Sequence, residues 1–111
     1  MLVADTFKAL GDPVRLQMIQ RLSQSTQYTV GSLSAGLGLT RQGARKHLQL
    51  LADAELVSLQ PRGRQTKVTL DATTLAHAKR FITELELQWD QRLLALKDFV
   101  ENDVPTKQTN T

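Results

Sequence analysis

The side chains most able to form directional hydrogen bonds and ionic contacts lie in residues 40–51, where cationic and amide groups repeat. Ala44, His47, Leu48 and Leu51 recur at three- and four-residue spacing, which predicts a helix with one buried side. Arginine can form two parallel hydrogen bonds to a guanine edge, and glutamine can do the same to adenine. The side chains outside the buried side are Arg41, Gln42, Arg45, Lys46 and Gln49. These five side chains predict a surface that contacts the edges of DNA bases. A helix face that is only solvated would have the same composition, so that alternative stays open.

The residues before this helix indicate how it is held. Thr40 is a good N-cap, because its hydroxyl can accept a hydrogen bond from a backbone N–H of the first turn. A short helix is predicted over about 31–37, and the segment Gly38-Leu39-Thr40 is a tight link between the two helices. Two helices joined by a short glycine-containing turn form a helix-turn-helix, whose second helix can enter a major groove.

The residues after the helix predict a β-hairpin with a basic tip. Leu56–Gln60 and Thr66–Leu70 alternate apolar and polar side chains, and the turn Pro61–Arg64 separates them. An exposed loop would look the same, but directly after a basic helix the 61–66 segment is more typical of a wing that binds phosphate. We therefore expect base contacts from Arg41, Gln42, Arg45 and Gln49, and phosphate contacts from Thr40, Lys46, Arg62, Arg64 and Lys67.

Composition limits the class of protein. The chain has 111 residues, enough for one domain, and a formal charge of +3. Residues 40–70 carry six basic and two acidic side chains, so the positive charge is concentrated there. The sequence has no cysteine, which excludes disulfides, thiolate metal sites and cysteine nucleophiles. Because no signal peptide and no long apolar stretch is present, we expect a soluble, intracellular protein without membrane contact.

Other helices flank this central region. Helices are predicted over 2–10 and from Asp12-Pro13 to about Ser25, the second with Arg15 and Arg21 on its outer side. A brief strand is expected at Tyr28–Val30.

The last helix runs from Asp71 to about 103. Its apolar stripe, interrupted by Arg92, is longer than a small core can cover, so part of it should pair with a second copy. We expect one folded domain at 1–103 and a disordered tail at 104–111.

Three stretches together resemble the winged helix-turn-helix repressors of the ArsR/SmtB family. They are ALGDPVRLQMIQRL (9–22), TVGSLSAGLGLTRQGARKHLQLLADAELV (29–57) and GRQTKVTL (63–70). The resemblance implies a mostly α fold with a small β-hairpin and a long C-terminal dimerisation helix, in a cytoplasmic bacterial or archaeal protein. It also implies a homodimer joined through the first and last helices, at Leu2, Val3, Phe7, Leu85, Trp89, Leu93 and Leu96.

The chain departs from that family at its metal sites. A thiolate pair enters the third helix in metal-sensing members, where this chain has Thr29 and Gly31. A second site on the last helix corresponds to Ala72, Thr74, Leu85 and Gln88, none of which matches the ligand pattern. Because His47 and His77 alone cannot complete a four-ligand site, we expect no metal and no cofactor, as in the branch that lacks metal sites.

The sequence thus favours a sequence-specific, homodimeric repressor that binds a near-palindromic operator in double-stranded DNA. The alternative is a winged helix used as a protein-interaction module without DNA. An enzyme is disfavoured, because no nucleophile elbow, phosphate-binding glycine loop or metal-ligand spacing is present. The switching signal stays open between a small organic molecule, a partner protein and autoregulation by concentration.

Overall fold

The structure, a computed structural model, describes residues 2–103 and confirms a mostly helical fold with a small antiparallel sheet. The expected tail at 104–111 lies outside the described residues. The chain divides after Ala78 into two compact units. The elements are α1 (Val3–Leu10), α2 (Pro13–Leu22), β1 (Tyr28–Thr29), α3 (Val30–Ser34), α4 (Arg41–Asp53), β2 (Val57–Arg62), β3 (Gln65–Leu70) and α5 (Ala72–Asp103).

Two helices begin where their capping residues predict. The Asp12 carboxylate accepts hydrogen bonds from the backbone N–H of Val14, at 2.8 Å, and of Arg15, at 3.1 Å, and Pro13 occupies the first position of α2. The bond from the Arg15 N–H is the main reason why the pKa of the Asp12 carboxyl lies below its ordinary value. The Thr40 hydroxyl accepts from the backbone N–H of Gly43 at 3.0 Å, which sets the start of α4.

Helix α3 is shorter than the sequence predicts. It ends at Ser34 instead of near residue 37, because Ala35 is extended (φ −60°, ψ 130°) and Gly36 has a φ of +78°. A positive φ is readily adopted only by glycine, so the helix cannot continue through this position. At its other end, Thr29 and Ser32 form a reciprocal capping box that holds the first turn.

The predicted hairpin belongs to a three-stranded antiparallel sheet of order β1-β3-β2. Residue Tyr28 pairs with Val68 and residue Val57 pairs with Leu70, so β3 lies in the centre. The turn is narrower than predicted, with only Gly63 and Arg64 between the strands, and Gly63 has a φ of +62°. A positive φ at the first of two loop residues is the arrangement of a type II′ turn.

Two arginines predicted on the outer side of α2 are in fact half-buried, and that prediction is wrong. The Arg21 guanidinium donates to the carbonyl oxygens of Leu33, at 2.8 Å, and Ala35, at 2.7 Å, where α3 ends. The Arg15 guanidinium donates to the carbonyl of Ala9 at 2.6 Å, near the end of α1. Both arginines donate hydrogen bonds to backbone carbonyls at a helix end, where a carbonyl has no partner within its own helix. These carbonyls belong to elements other than α2.

The core of the first unit fixes the orientation of α4. Its inner side chains Ala44, Leu48 and Leu51 are buried, as the spacing predicts, and Leu48 and Leu51 have no exposed surface. Leu48 and Leu51 pack in one cluster with Met18, Leu33, Leu56 and Val68. Truncation of such a leucine to alanine costs about 2–5 kcal/mol, so rotating α4 to expose this side is strongly unfavourable. Within residues 2–103, no helix has the length and apolarity needed to cross a bilayer.

Candidate nucleic-acid interface

The outer side of α4 presents the predicted chemistry to solvent. Arg41, Gln42, Arg45, Lys46 and Gln49 are all exposed, and Thr40 at the cap is exposed too. The buried leucines on the other side of the helix hold it so that these side chains point outward. The surface is therefore rigid at its backbone and adaptable at its tips, which suits contacts to base edges.

A groove of about 510 Å³ lies between the start of α4, the segment around α3 and the tip of the β2–β3 hairpin. Four of the predicted site residues line it, namely Thr40, Arg41, Arg45 and Arg64. Three guanidinium groups from two separate elements thus border one concave surface. In the sequence, the helix and the hairpin are related only by their order in the chain, and the fold brings them together.

The groove also has lining residues that the sequence did not single out. Gln65 and Thr66 line it beside Arg64, and Ser34 lines it from the end of α3. The Ser34 hydroxyl donates to the Val30 carbonyl at 2.7 Å, so its role there is to hold the helix turn. The only sequence signal for Gln65 and Thr66 was their position in the predicted wing.

The electrostatics of the groove favour an anion. Helix α4 has no acidic residue in its first turn, so no carboxylate offsets the positive end of its dipole. Arg41 and Arg45 lie at this same end of the helix. Backbone dipole and side-chain charge therefore have the same sign at the point where Arg64 approaches from the hairpin.

Three other predicted contact residues have partners or positions that limit their reach. The Gln49 amide donates to the Asp53 carboxylate at 2.8 Å, one turn further along α4. The Arg62 guanidinium lies 3.5 Å from the Gln60 side-chain oxygen, a long and exposed hydrogen bond. Lys67 is half-buried in the central strand β3, where its backbone pairs with Thr29 and Gln60. Of the three, Arg62 is the most readily redirected.

His47 is held by a side chain of another helix. Its Nδ1 lies 3.1 Å from Nη1 of Arg15, so the hydrogen bond requires an unprotonated Nδ1 that accepts from the guanidinium. His47 is thus a half-buried, hydrogen-bonded side chain. Arg15 thereby links the end of α1 to the middle of α4.

The predicted dimer residues are mainly exposed apolar side chains. In the first unit, Leu2 is 67% exposed, Phe7 is also exposed and Val3 is half-buried. In the second unit, Leu85, Trp89, Leu93 and Leu96 are all exposed along α5. Each set is an apolar surface of its own unit, and their pairing with a second copy stays a prediction.

The positions that correspond to family metal sites have other surroundings here. The Thr74 hydroxyl is buried and donates to the Glu55 carbonyl at 2.5 Å, which anchors the first turn of α5. Thr29 caps α3. In the part of the chain that the structure describes, no group of three or more histidine, aspartate or glutamate side chains could hold a metal ion.

Comparison with known proteins agrees with this geometry. Residues 10–60 match a family model described as a helix-turn-helix domain. The chain is 38% identical over 64 residues to the uncharacterized HTH-type transcriptional regulator YuzN of Bacillus subtilis (strain 168), a match that covers 52% of this chain and 70% of YuzN.

Solved structures are similar over most of the chain. One is an ArsR-like transcriptional regulator from Rhodococcus sp. RHA1, with a TM-score of 0.74, 30% identity and coverage of 87% of this chain and 91% of that one. Another is a possible transcriptional regulator for arsenical resistance, with a TM-score of 0.68, 28% identity and coverage of 82% and 94%.

A helix-turn-helix followed by a basic hairpin defines a winged helix-turn-helix protein, a class that binds DNA. Within that class, this chain belongs to the ArsR family of transcriptional regulators. It is therefore a regulator of transcription and not an enzyme, as the sequence indicated.

Proposed function

We propose that this regulator is a homodimeric repressor that binds a near-palindromic operator. Helix α4 of each copy would lie in a major groove, with Arg41, Gln42 and Arg45 toward base edges. The phosphate contacts would come from Thr40, Lys46, Arg62 and Arg64. Gln49 and Lys67 would contribute less, because the first is bonded to Asp53 and the second is half-buried in β3.

One observation carries this proposal. The groove between α4 and the hairpin is bordered by Arg41, Arg45 and Arg64, at a helix end whose dipole is also positive. A phosphate backbone that passed between the helix and the hairpin would meet cations on both sides, while α4 occupied the adjacent major groove. A module that binds only proteins has no need for such a concentration of charge, because protein interfaces favour aromatic residues over cations at their centres.

Two copies are needed for the operator to be a near-palindrome. The exposed apolar residues of α1 and those of α5 supply two separate surfaces, one in each unit, on which the two copies would join. Two-fold symmetry then presents two α4 helices to half-sites about one helical turn apart, roughly 34–36 Å. Repression would follow if this site overlaps a promoter.

A selection from random duplexes with the full-length protein tests the proposal. We expect an enriched inverted repeat. On that operator and on a scrambled duplex of equal length, Arg64→Ala should weaken binding by the same factor, because phosphate contacts carry no sequence information.

Arg45→Ala should instead weaken binding to the operator about tenfold more than binding to the scrambled duplex, because it removes a base contact. Arg80→Ala serves as the control, since Arg80 is an exposed α5 residue that forms only a surface ion pair with Glu84. If no sequence is enriched, or if Arg45→Ala has equal effects on both duplexes, the proposed base readout is wrong.

A further inference from the structure

The turn between α3 and α4 forms one wall of the groove. The residues of this turn that line the groove are Ala35, Gly36, Gly38 and Leu39. Gly36 and Gly38 have φ values of +78° and +70°. Glycine loses more conformational freedom on folding than any other residue, so a short segment with two glycines is ordered only where other contacts hold it. The preceding helix α3 has five residues and is too short to supply this order by itself.

The second half of the turn is held by the core. Leu37 and Leu39 are partly buried and pack against the core cluster of the first unit. The Leu37 backbone N–H also donates to the Ser34 carbonyl at 3.2 Å. Ala35 and Gly36, in contrast, have no large side chain with which to pack. A different contact must therefore fix the backbone where the turn begins.

Arg21 of α2 supplies that contact. A single nitrogen of its guanidinium, Nη1, donates to the carbonyl oxygens of Leu33, at 2.8 Å, and Ala35, at 2.7 Å. Hydrogen bonds from an ionised donor are roughly twice as strong as bonds between neutral groups. A Cβ added to Gly36 would lie 3.9 Å from Nη2, so the second terminal nitrogen lies beside the same turn. Arg21 itself lies outside the lining of the groove, so it acts on the groove through the backbone.

The turn leads directly into the residues that would contact bases. It ends at the N-cap Thr40, and Arg41 and Gln42 follow in the first turn of α4. The buried leucines of α4 fix the rotation of the helix about its own axis, while the preceding turn helps to fix where the helix begins. Base contacts need groups held within about 0.5 Å of their correct position. A loosened turn should therefore weaken base contacts more than contacts to phosphate, which carry no sequence information.

We infer that Arg21 is a positioning residue for sequence recognition: its guanidinium fixes the start of the α3–α4 turn and so places the first turn of α4 against the bases, without contacting DNA. This inference rests on the proposed operator binding and adds a residue outside the interface. A direct bond from Arg21 to a phosphate is the competing role, and it has a different salt dependence.

Binding of the full-length protein to two duplexes tests this role. Arg21→Met keeps the aliphatic stem of the half-buried side chain and removes the hydrogen-bond donor. By fluorescence anisotropy, affinity for the selected operator should fall about tenfold, which is the loss expected for one base contact. Affinity for the scrambled duplex should fall less than about threefold with an unchanged salt dependence, because no phosphate contact is removed. Arg80→Met, at an exposed position of α5, is the control and should leave both affinities unchanged.

Two further variants test the mechanism. Because one nitrogen makes both bonds, the ammonium of Arg21→Lys can replace it and should restore most of the preference for the operator. Gly36→Ala keeps every cation but strains the same turn, because the φ of Gly36 is +78°. Gly36→Ala should therefore reduce the operator preference as Arg21→Met does, and it carries the test if Arg21→Met does not fold.

Amide hydrogen exchange of the free protein tests the contact without DNA. In Arg21→Met, exchange at residues 36–39 should be about tenfold faster, because the bonds that restrain local opening of the turn are lost. Arg15→Met is the matched control, since Arg15 lies on the same helix but donates to the Ala9 carbonyl. Equal acceleration at 36–39 in both variants would show that the turn responds to general destabilisation and not to the Arg21 bonds.

The outcomes separate positioning from direct contact. If Arg21→Met lowers the magnitude of the salt slope on the scrambled duplex by about 1.8, Arg21 contacts phosphate in both copies and the positioning role is wrong. Equal losses of affinity on the two duplexes, or an operator preference that survives in both Arg21→Met and Gly36→Ala, overturn this inference alone. An unmodified protein that prefers no sequence overturns the proposed function itself.

Discussion

Arg15 is the most informative single position for the internal architecture of the DNA-binding unit. Its side chain is only 14% exposed, and its guanidinium bonds to the Ala9 carbonyl at 2.6 Å and to His47 Nδ1 at 3.1 Å. The substitution Arg15→Met keeps the aliphatic stem that packs between helices and removes both hydrogen bonds. It therefore isolates the polar contribution of the guanidinium.

The size of the effect follows from these contacts. A hydrogen bond from a charged donor contributes about 1.5–3 kcal/mol, and water can partly replace the lost donor at the half-exposed His47. We expect Arg15→Met to lower the free energy of unfolding by about 2–4 kcal/mol. Arg80→Met is the matched control, because Arg80 has 79% of its side chain exposed and its ion pair with Glu84 is a surface pair. That control should change stability by less than about 0.5 kcal/mol.

Urea denaturation followed by circular dichroism measures the free energy of unfolding of both variants. All samples are kept at one protein concentration, because dimerisation would shift the apparent stability. A double-mutant cycle with His47→Leu should show a coupling of about 1 kcal/mol between the two positions. If Arg15→Met is no more destabilising than Arg80→Met, Arg15 does not link α1 to α4 in solution.

Three further experiments test local features. Because the pKa of the Asp12 carboxyl is lowered below its ordinary 3.8 in the folded chain, its stabilising effect is present at neutral pH and is lost as pH falls through the folded-state pKa. Asp12→Asn keeps a capping side chain without the charge, so the melting temperatures of the variant and the unmodified protein should converge as the pH is lowered. A difference in melting temperature that is the same at neutral and acid pH would contradict this. Gly63→Ala should destabilise the hairpin by about 1–2 kcal/mol, because the φ of Gly63 is +62°. Gly31→Ala, in helix α3, should be neutral or stabilising by up to about 1 kcal/mol in the urea assay, because an added Cβ would meet only Thr29 Oγ1, at an ordinary contact distance of 3.9 Å. Equal losses of stability in the Gly63→Ala and Gly31→Ala variants would refute the argument from φ. Finally, Gln49→Ala should change operator affinity by less than about threefold, because the amide is bonded to Asp53; a tenfold loss by fluorescence anisotropy would restore Gln49 as a base contact.

The elements that local rules control were predictable from the sequence. Asp12-Pro13 and Thr40 mark helix starts because capping depends on a side chain and a backbone N–H within three residues. The buried side of α4 follows from spacing alone. The family resemblance added the overall architecture, and the similarity to ArsR-family structures confirms it.

The features that sequence reasoning missed depend on contacts between distant residues. Arg15 and Arg21 look like solvent-facing cations in a helical projection, because nothing nearby in the sequence shows that they reach carbonyls of other elements. The pairing of β1 with β3 is likewise non-local. In the candidate site, composition singled out Arg64, but only the folded hairpin places it at the same groove as Arg41 and Arg45.

The salt dependence of operator binding tests most directly whether the β2–β3 hairpins of two copies contact the phosphates of one duplex. Each phosphate contact contributes about 0.9 to the slope of log K against log salt concentration, so a homodimer that loses Arg64 from both copies loses two contacts. We predict that Arg64→Ala lowers the magnitude of the slope by about 1.8, while Arg80→Ala leaves it unchanged. A slope for Arg64→Ala equal to that of the unmodified protein would show that Arg64 does not contact phosphate and would contradict the role proposed for it in the hairpin.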